Sequence, residues 1–161
     1  MNLHAVLSLS QRAIARLETA QPLAQGAARL YLAQAFFLSG LTKLRDWDIT
    51  LALFQDEYQV PLLPPAWAAV AGTAGELVLP VLLALGLAGR FAAAGLSVVN
   101  VVAVLSLAEI APAALRQHVF WGSLLIALLL WGPGRWSLDR FVLAWHGQQA
   151  APRSAGYTRA A

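Results

Sequence analysis

Residues 72–83, GTAGELVLPVLL, place one carboxylate, Glu76, in the middle of an otherwise apolar stretch. The apolar run around it extends from about residue 66 to residue 87. About 20 helical residues cross the ~30 Å hydrocarbon core of a bilayer, so the run predicts a membrane-spanning helix. An ionisable side chain is costly at that depth, which makes Glu76 a candidate functional residue. The alternative is a paired or protonated carboxyl that only joins helices.

The composition of the whole chain also favours a membrane protein. Of its 161 residues, 59% are hydrophobic and 12% are charged, whereas soluble domains are about a quarter charged. The net charge of +3 does not indicate a nucleic-acid partner, because the basic residues flank the apolar runs instead of clustering. The chain has no cysteine, which excludes disulfides, Fe–S clusters and covalently attached haem.

Four apolar runs predict an all-α, polytopic membrane protein built as an antiparallel bundle of four transmembrane helices. The predicted spans are residues 27–44, 66–87, 91–110 and 113–131. The links after the second and third spans are only three and two residues long, and such short links require antiparallel neighbours. The longer link, 45–63, contains a short amphipathic segment for which Asp48 is the expected N-cap.

We divide the chain into three parts. Residues 1–25 are predicted to form an amphipathic helix on the membrane surface. Residues 26–146 form the transmembrane domain, and residues 147–161 are predicted to be disordered because they are small, polar and aperiodic. The distribution of Lys and Arg predicts that both termini are cytoplasmic. On the side of the termini lie Arg12, Arg16, Arg29, Arg90, Arg135, Arg140, Arg153 and Arg159, against Lys43, Arg45 and Arg116 on the other side.

Several polar side chains fall inside the predicted spans. Counted at 1.5 Å of rise per residue, Gln34, Glu76 and Asn100 lie roughly 14–18 Å from the outer ends of their helices, near the midplane. His118, about 9 Å deep, and Lys43 lie above that layer. Facing lipid is costly for polar groups, so we expect them to converge in the interior. Gln34 and Asn100 are equally consistent with simple hydrogen bonds between helices.

These positions predict a pocket that opens outward and is lined by Lys43, Glu76, His118 and Trp121. Glu76 would form its floor as a protonatable group. Burial disfavours a charged carboxylate unless Lys43 or His118 comes close enough to hold the charge. Taken alone, Lys43 is also consistent with a side chain that snorkels to the head groups.

Three motifs resemble the DoxX family of four-span bacterial inner-membrane proteins. They are SGLTKL at residues 39–44, AGELVLP at 74–80 and HVFWGSLLIALLLWGPGRWSLDR at 118–140. Lys43, Glu76, His118 and Trp121 fall on positions that recur in the family. The resemblance implies a bacterial inner-membrane location. The family is named for a subunit linked to a thiosulfate:quinone oxidoreductase, and other members resemble parts of oxidoreductase assemblies.

Two classes of function follow. The first is a redox-linked subunit that binds a quinone or another small apolar molecule, with a partner redox protein supplying electrons. Glu76 and His118 are its catalytic candidates, and its ligand-binding candidates are Lys43, Glu76, Asn100, His118 and Trp121. The second is a non-enzymatic scaffold, chaperone or binding protein for a secreted or metal-handling partner. No metal site is predicted, and the sequence leaves open whether the protein is an enzyme and whether it is a homo-oligomer.

Overall fold

The computed structural model describes residues 3–142, which form five α-helices. They are α1 (Leu3–Arg45), α2 (Trp47–Asp56), α3 (Pro65–Leu85), α4 (Gly89–Leu105) and α5 (Pro112–Trp131). This confirms the all-α fold class. The predicted tail at 147–161 and the last residues of the predicted domain at 26–146 lie outside the described residues.

Helix α1 is continuous across residue 25, where the sequence predicted a boundary between a surface helix and the first span. Pro22 lies inside the helix without ending it. The described side chains from residue 10 to residue 21 are exposed. The location of these residues on a membrane surface stays a prediction.

Helix α2 lies in the link between α1 and α3, where the sequence predicted a short amphipathic helix. The prediction of Asp48 as its N-cap was wrong. Asp46 has the extended backbone that an N-cap needs, and its carboxylate accepts a hydrogen bond from the backbone N–H of Ile49 at 3.1 Å. Asp48 lies in the first turn instead. On the inner side of α2, Phe54 packs against Ala68 and Ala69 of α3.

A single buried cluster joins the four longer helices. It consists of Leu32, Phe36, Leu83, Ala92, Ala93, Leu96, Leu125 and Leu128. Helix α1 packs against α3, α3 against α4, α4 against α5, and α5 also contacts α1. The helices α1 and α3 lie close together at Gly40, where an added Cβ would lie 2.9 Å from Cγ of Leu77. Only glycine permits this approach.

Two of the described helices, α3 and α5, are long and apolar enough to cross a membrane by length and composition. Helix α4 is apolar but has 17 residues and ends at Leu105, short of the predicted residue 110. The chain leaves the helix there because Ser106 accepts a hydrogen bond through its carbonyl from Gln59 N–H at 2.8 Å. Tyr58 and Leu107 form an adjacent β-bridge, which ties the α2–α3 link to the end of α4.

The segment after α5, residues 132–139, folds back over the turn between α3 and α4. The two carboxylate oxygens of Asp139 accept hydrogen bonds from the backbone N–H groups of Ala88 at 2.7 Å and Gly89 at 3.0 Å. These N–H groups open α4, so Asp139 caps a helix that begins fifty residues earlier. The N–H of Asp139 in turn donates to the carbonyl of Gly86 at 3.1 Å.

Arg29 of α1 holds the same segment from the other side. Its guanidinium donates to the backbone carbonyls of Trp136, at 2.7 Å, and Pro133. Gly86 makes room for it, because an added Cβ there would lie 2.6 Å from Arg29 Nη1, and its φ of +66° also favours glycine. Arg29 is 5% exposed, so it is a buried structural group, a role that its position near the start of the predicted first span did not indicate. We call Arg29 and residues 132–139 the clamp.

Candidate functional site

A cavity of about 410 Å³ lies between the helices, toward the ends of α1 and α4 that are far from the clamp. All five helices and the α2–α3 link contribute to its wall, which is mostly apolar. Small-molecule sites in proteins measure roughly 300–1,000 Å³ and combine apolar walls with a few polar groups. The cavity therefore has the size and character of a site for a small organic molecule.

An ion pair lies in the wall of this cavity. Lys43 Nζ is 2.6 Å from Glu76 Oε2 and also donates to Ser39 Oγ at 3.0 Å. Glu76 is 7% exposed, and a charge so deeply buried needs a partner at this distance. Lys43 supplies it. The side chain of Lys43 is therefore turned into the protein, and it does not snorkel away from it.

The local sequence explains why this pair forms. Ser39 and Lys43 are four residues apart and share one face of α1. Gly40 lies between them and close to α3, where an added Cβ would be 3.1 Å from Cβ of Glu76. The SGLTKL motif thus brings a lysine to the acid in α3 by removing the side chain that would hold the two helices apart.

A second polar pair joins α4 to α5. The amide nitrogen of Asn100 donates to the backbone carbonyl of His118 at 3.0 Å, and the amide oxygen lies 2.8 Å from His118 Nδ1. Gly122 leaves the space for this amide, because an added Cβ would lie 3.3 Å from Asn100 Nδ2. The sequence placed His118 about 5 Å nearer the outer side than Asn100, a difference that the Asn100 side chain bridges; their depths in a membrane stay a prediction.

Trp121 completes the wall next to His118. The two rings meet edge to face at a centroid distance of 5.2 Å, and Phe36 of α1 lies 5.4 Å from Trp121. The indole N–H points to the hydroxyl of Tyr31 at 3.4 Å. Lys43, Glu76, His118 and Trp121 all line the cavity, while Asn100 lies behind His118 and does not. The structure brings these side chains together; their roles stay predictions.

The expectation for Gln34 was wrong. Its side chain is exposed and lies in a separate groove between α1 and α3, with Ala33, Phe37 and Pro80 among its neighbours. The depth of a residue along a helix does not determine the direction in which its side chain points. Phe36, two residues further along, faces the cavity instead.

Tyr58, in the α2–α3 link, is a wall residue that the sequence did not reveal. Its ring packs edge-on against Phe54 at 5.0 Å. Burial raises the pKa of the Tyr58 phenol, and the negative charges of Glu57 and Glu76 raise it further. Tyr58 follows the last turn of α2, so no helical spacing relates it to the residues of the spans.

The polar groups of the cavity suit an organic head group better than a metal ion. Among residues 3–142, no three His, Cys, Asp or Glu side chains are placed to share a metal. The cavity instead offers an ammonium group, a carboxylate, an imidazole and a phenol around an apolar interior. This combination can hydrogen-bond the polar end of a ligand whose remainder is apolar.

Comparison with known proteins gives one match. The family model DoxX matches residues 24–109, which are 86 of the 161 residues. No curated protein and no solved structure matches the chain. The matched region runs from within α1 to just beyond α4 and includes Lys43, Glu76 and Asn100, whereas His118 and the clamp segment follow it. The match covers more than half of the chain, so the protein belongs to the DoxX family, a family of membrane-associated proteins.

Proposed function

We propose that this protein spans a bacterial inner membrane four times, through the second half of α1 and through α3, α4 and α5, with both termini in the cytoplasm. The support is the distribution of apolar side chains at the surface. All four helices expose large hydrophobic residues, among them Leu38, Val78, Val101 and Ile126. Water would penalise such a surface and acyl chains would not. The cavity then opens toward the periplasm and the clamp faces the cytoplasm.

Cysteine labelling tests this orientation, because the chain has no cysteine of its own. Leu62, which is fully exposed in the α2–α3 link, and Arg135, which is exposed in the clamp segment, are suitable positions. A membrane-impermeant maleimide should label Leu62→Cys in intact cells and should label Arg135→Cys only after lysis. Labelling of Arg135→Cys in intact cells would overturn the proposed orientation.

Within this arrangement, we propose that the cavity binds a small molecule with a polar head and an apolar remainder, and that this ligand belongs to the quinone class in its oxidised or reduced form. The observation that carries the proposal is the ion pair of Lys43 and Glu76 in the wall of an otherwise apolar cavity of about 410 Å³. A purely structural ion pair would gain from close packing around it. Here the two charged groups border open volume.

The chemistry of the wall suits a redox-linked role. Lys43 can donate a hydrogen bond to a ligand oxygen, and Glu76 and His118 can exchange protons with the ligand. Trp121 and Phe36 supply aromatic surface on which a ring can pack. A partner redox protein would supply the electrons, and the protein is then a subunit of a quinone-associated membrane system.

A pair of tryptophan substitutions tests the cavity. Ala103 lines the cavity, whereas Ala74 is exposed on the surface of α3. We expect purified wild-type protein to bind an alkylated benzoquinone saturably in mild detergent. Ala103→Trp should abolish the binding and Ala74→Trp should leave it unchanged. Equal binding by both variants would place the ligand outside the cavity. Binding without any redox change in membranes would favour the alternative of a non-enzymatic binding or scaffold protein.

A further inference from the structure

The hydrogen bonds of Asn100 determine which of the two ring nitrogens of His118 carries the hydrogen. The backbone carbonyl of His118 can only accept a hydrogen bond, so the Asn100 group that faces it at 3.0 Å is the NH₂ group. The other end of the amide, which lies 2.8 Å from His118 Nδ1, is therefore the oxygen. An amide oxygen can only accept, so Nδ1 carries the hydrogen.

The second ring nitrogen of His118, Nε2, is available to a ligand in the cavity. No residue from 3 to 142 makes a hydrogen bond to His118 Nε2, and the ring lines the cavity. In the neutral imidazole one nitrogen donates and the other accepts. Since Nδ1 is the donor, Nε2 presents a lone pair.

The other polar end of the cavity has the opposite character. The ammonium group of Lys43 has three hydrogens, and its bonds to Glu76 and Ser39 use two of them. The third hydrogen remains for a ligand. The cavity therefore offers a donor at Lys43 and an acceptor at His118, and a complementary ligand needs an acceptor at one end of its head group and a hydrogen-bond donor at the other.

From this polarity we infer that the cavity selects a ligand with an aromatic hydroxyl group, a phenol or hydroquinone, whose O–H donates to His118 Nε2. The inference rests on the proposed function and narrows it. A quinone has only carbonyl acceptors, and it leaves the lone pair of Nε2 without a partner. A hydroquinone, the reduced form, satisfies both ends. Asn100 is then a positioning residue, because it acts on the ligand through His118.

A matched pair of probes tests the selection. 4-Nonylphenol and 4-nonylanisole differ only in the replacement of the O–H hydrogen by a methyl group. Equilibrium dialysis in mild detergent, with protein-free micelles as the blank, should give an affinity for the phenol about tenfold higher, the effect of roughly one hydrogen bond. Equal affinities would overturn the inference and leave the proposed function standing. Failure of both probes and of the alkylated benzoquinone to bind would overturn the proposed function itself.

Variants at Asn100 and Gly122 separate positioning from general stability. Asn100→Leu removes the hydrogen bond that fixes Nδ1, whereas Gly122→Ala keeps every polar group and crowds the amide, because the new Cβ would lie 3.3 Å from Asn100 Nδ2. Asn100→Leu should abolish the preference for the phenol over the anisole, since one hydrogen bond is lost, and Gly122→Ala should reduce the preference by a smaller factor. A merely structural role would weaken both probes equally and preserve the preference, which would overturn the positioning role. Ala74→Trp serves as the control and should keep the wild-type preference.

Nitrogen NMR gives a readout that does not depend on binding. Replacing His4 and His146 by Gln leaves His118 as the only histidine. In ¹⁵N-histidine-labelled protein at neutral pH, we expect the proton on Nδ1 and an unprotonated Nε2. Addition of 4-nonylphenol should shift the Nε2 resonance and 4-nonylanisole should not. A proton on Nε2 in the free protein would overturn the inference.

Discussion

Polar groups are buried at both ends of this protein, but they are satisfied in different ways. In the clamp, Arg29 and Asp139 bind backbone groups: the arginine holds two carbonyls and the aspartate holds two N–H groups. In the cavity, Lys43 pairs with Glu76 and His118 pairs with Asn100. Side chains pair with side chains there, and hydrogen-bonding capacity is left over beside open volume.

This difference teaches how a buried charge is to be interpreted in an apolar protein. A side chain whose hydrogen-bond partners are backbone groups cannot change those partners without breaking the fold. A side chain that is paired with another side chain at the edge of a cavity can exchange hydrogen bonds with a ligand. The clamp is therefore structural and the cavity is the candidate site, although both contain buried polar residues.

The largest expected effect is a loss of stability when the clamp is broken. Arg29→Ala leaves two buried carbonyls without donors, so we expect a loss of about 2–5 kcal/mol in the free energy of unfolding. Ligand affinity of the folded fraction should not change. Thermal and denaturant unfolding in detergent micelles measure the effect, with the exposed Arg135→Ala of the same segment as the control. A stable Arg29→Ala protein that has lost ligand binding would reverse the roles assigned to the two ends.

The next largest effect is expected when the ion pair in the cavity wall is broken, which should lower both stability and ligand affinity. Glu76→Gln keeps the shape of the side chain but leaves Lys43 without its counter-charge, and we expect a loss of about 2 kcal/mol, moderated by the partial exposure of Lys43. Ligand affinity should fall about tenfold or more. The double variant Lys43→Met, Glu76→Gln should recover most of the stability and none of the binding. Glu76→Leu should damage both.

A smaller effect is expected at high pH. Because the pKa of Tyr58 is raised in the folded protein, the unfolded chain loses this proton first as the pH rises. The contribution of Tyr58 to stability is thus complete below about pH 10 and is lost as the pH rises through the raised pKa. Tyr58→Phe keeps the packing against Phe54 and should show a weaker alkaline loss in denaturant unfolding. An unchanged alkaline loss would assign it to other groups.

The smallest effect is expected outside both regions. Gln34 is exposed in a groove away from the cavity, so Gln34→Leu should change stability by no more than about 0.5 kcal/mol. Its ligand affinity should equal that of wild type. A clear loss of binding by this variant would show that the groove, and not only the cavity, takes part in the site.

The sequence predicted the helices and much of the cavity, and its errors have physical causes. Counting the rise along the helices placed Lys43 above Glu76, whereas the structure pairs them at 2.6 Å. The cost of exposing both groups to lipid correctly predicted that they face inward. The same argument failed for Gln34, because depth does not determine rotation about the axis. The membrane arrangement of the four helices stays a prediction.

The clamp was missed for a different reason. Its motif was visible as GPGRWSLDR, but its contacts join residues between 50 and 107 positions apart. No periodicity within one helix indicates a cap that arrives from the far end of the chain. The donor at Arg29 was interpreted as a flanking charge because its acceptors are backbone carbonyls, which carry no sequence signature.

The cap of α4 by Asp139 has a consequence for biosynthesis. The N–H groups of Ala88 and Gly89 emerge from the ribosome some fifty residues before the carboxylate that satisfies them. The turn between α3 and α4 therefore stays without this cap until the chain beyond α5 has been translated. The docking of Asp139 on the turn is then the last step of assembly. A nascent chain that stops before Asp139 should contain all five helices and still be recognised by quality-control proteases as incomplete.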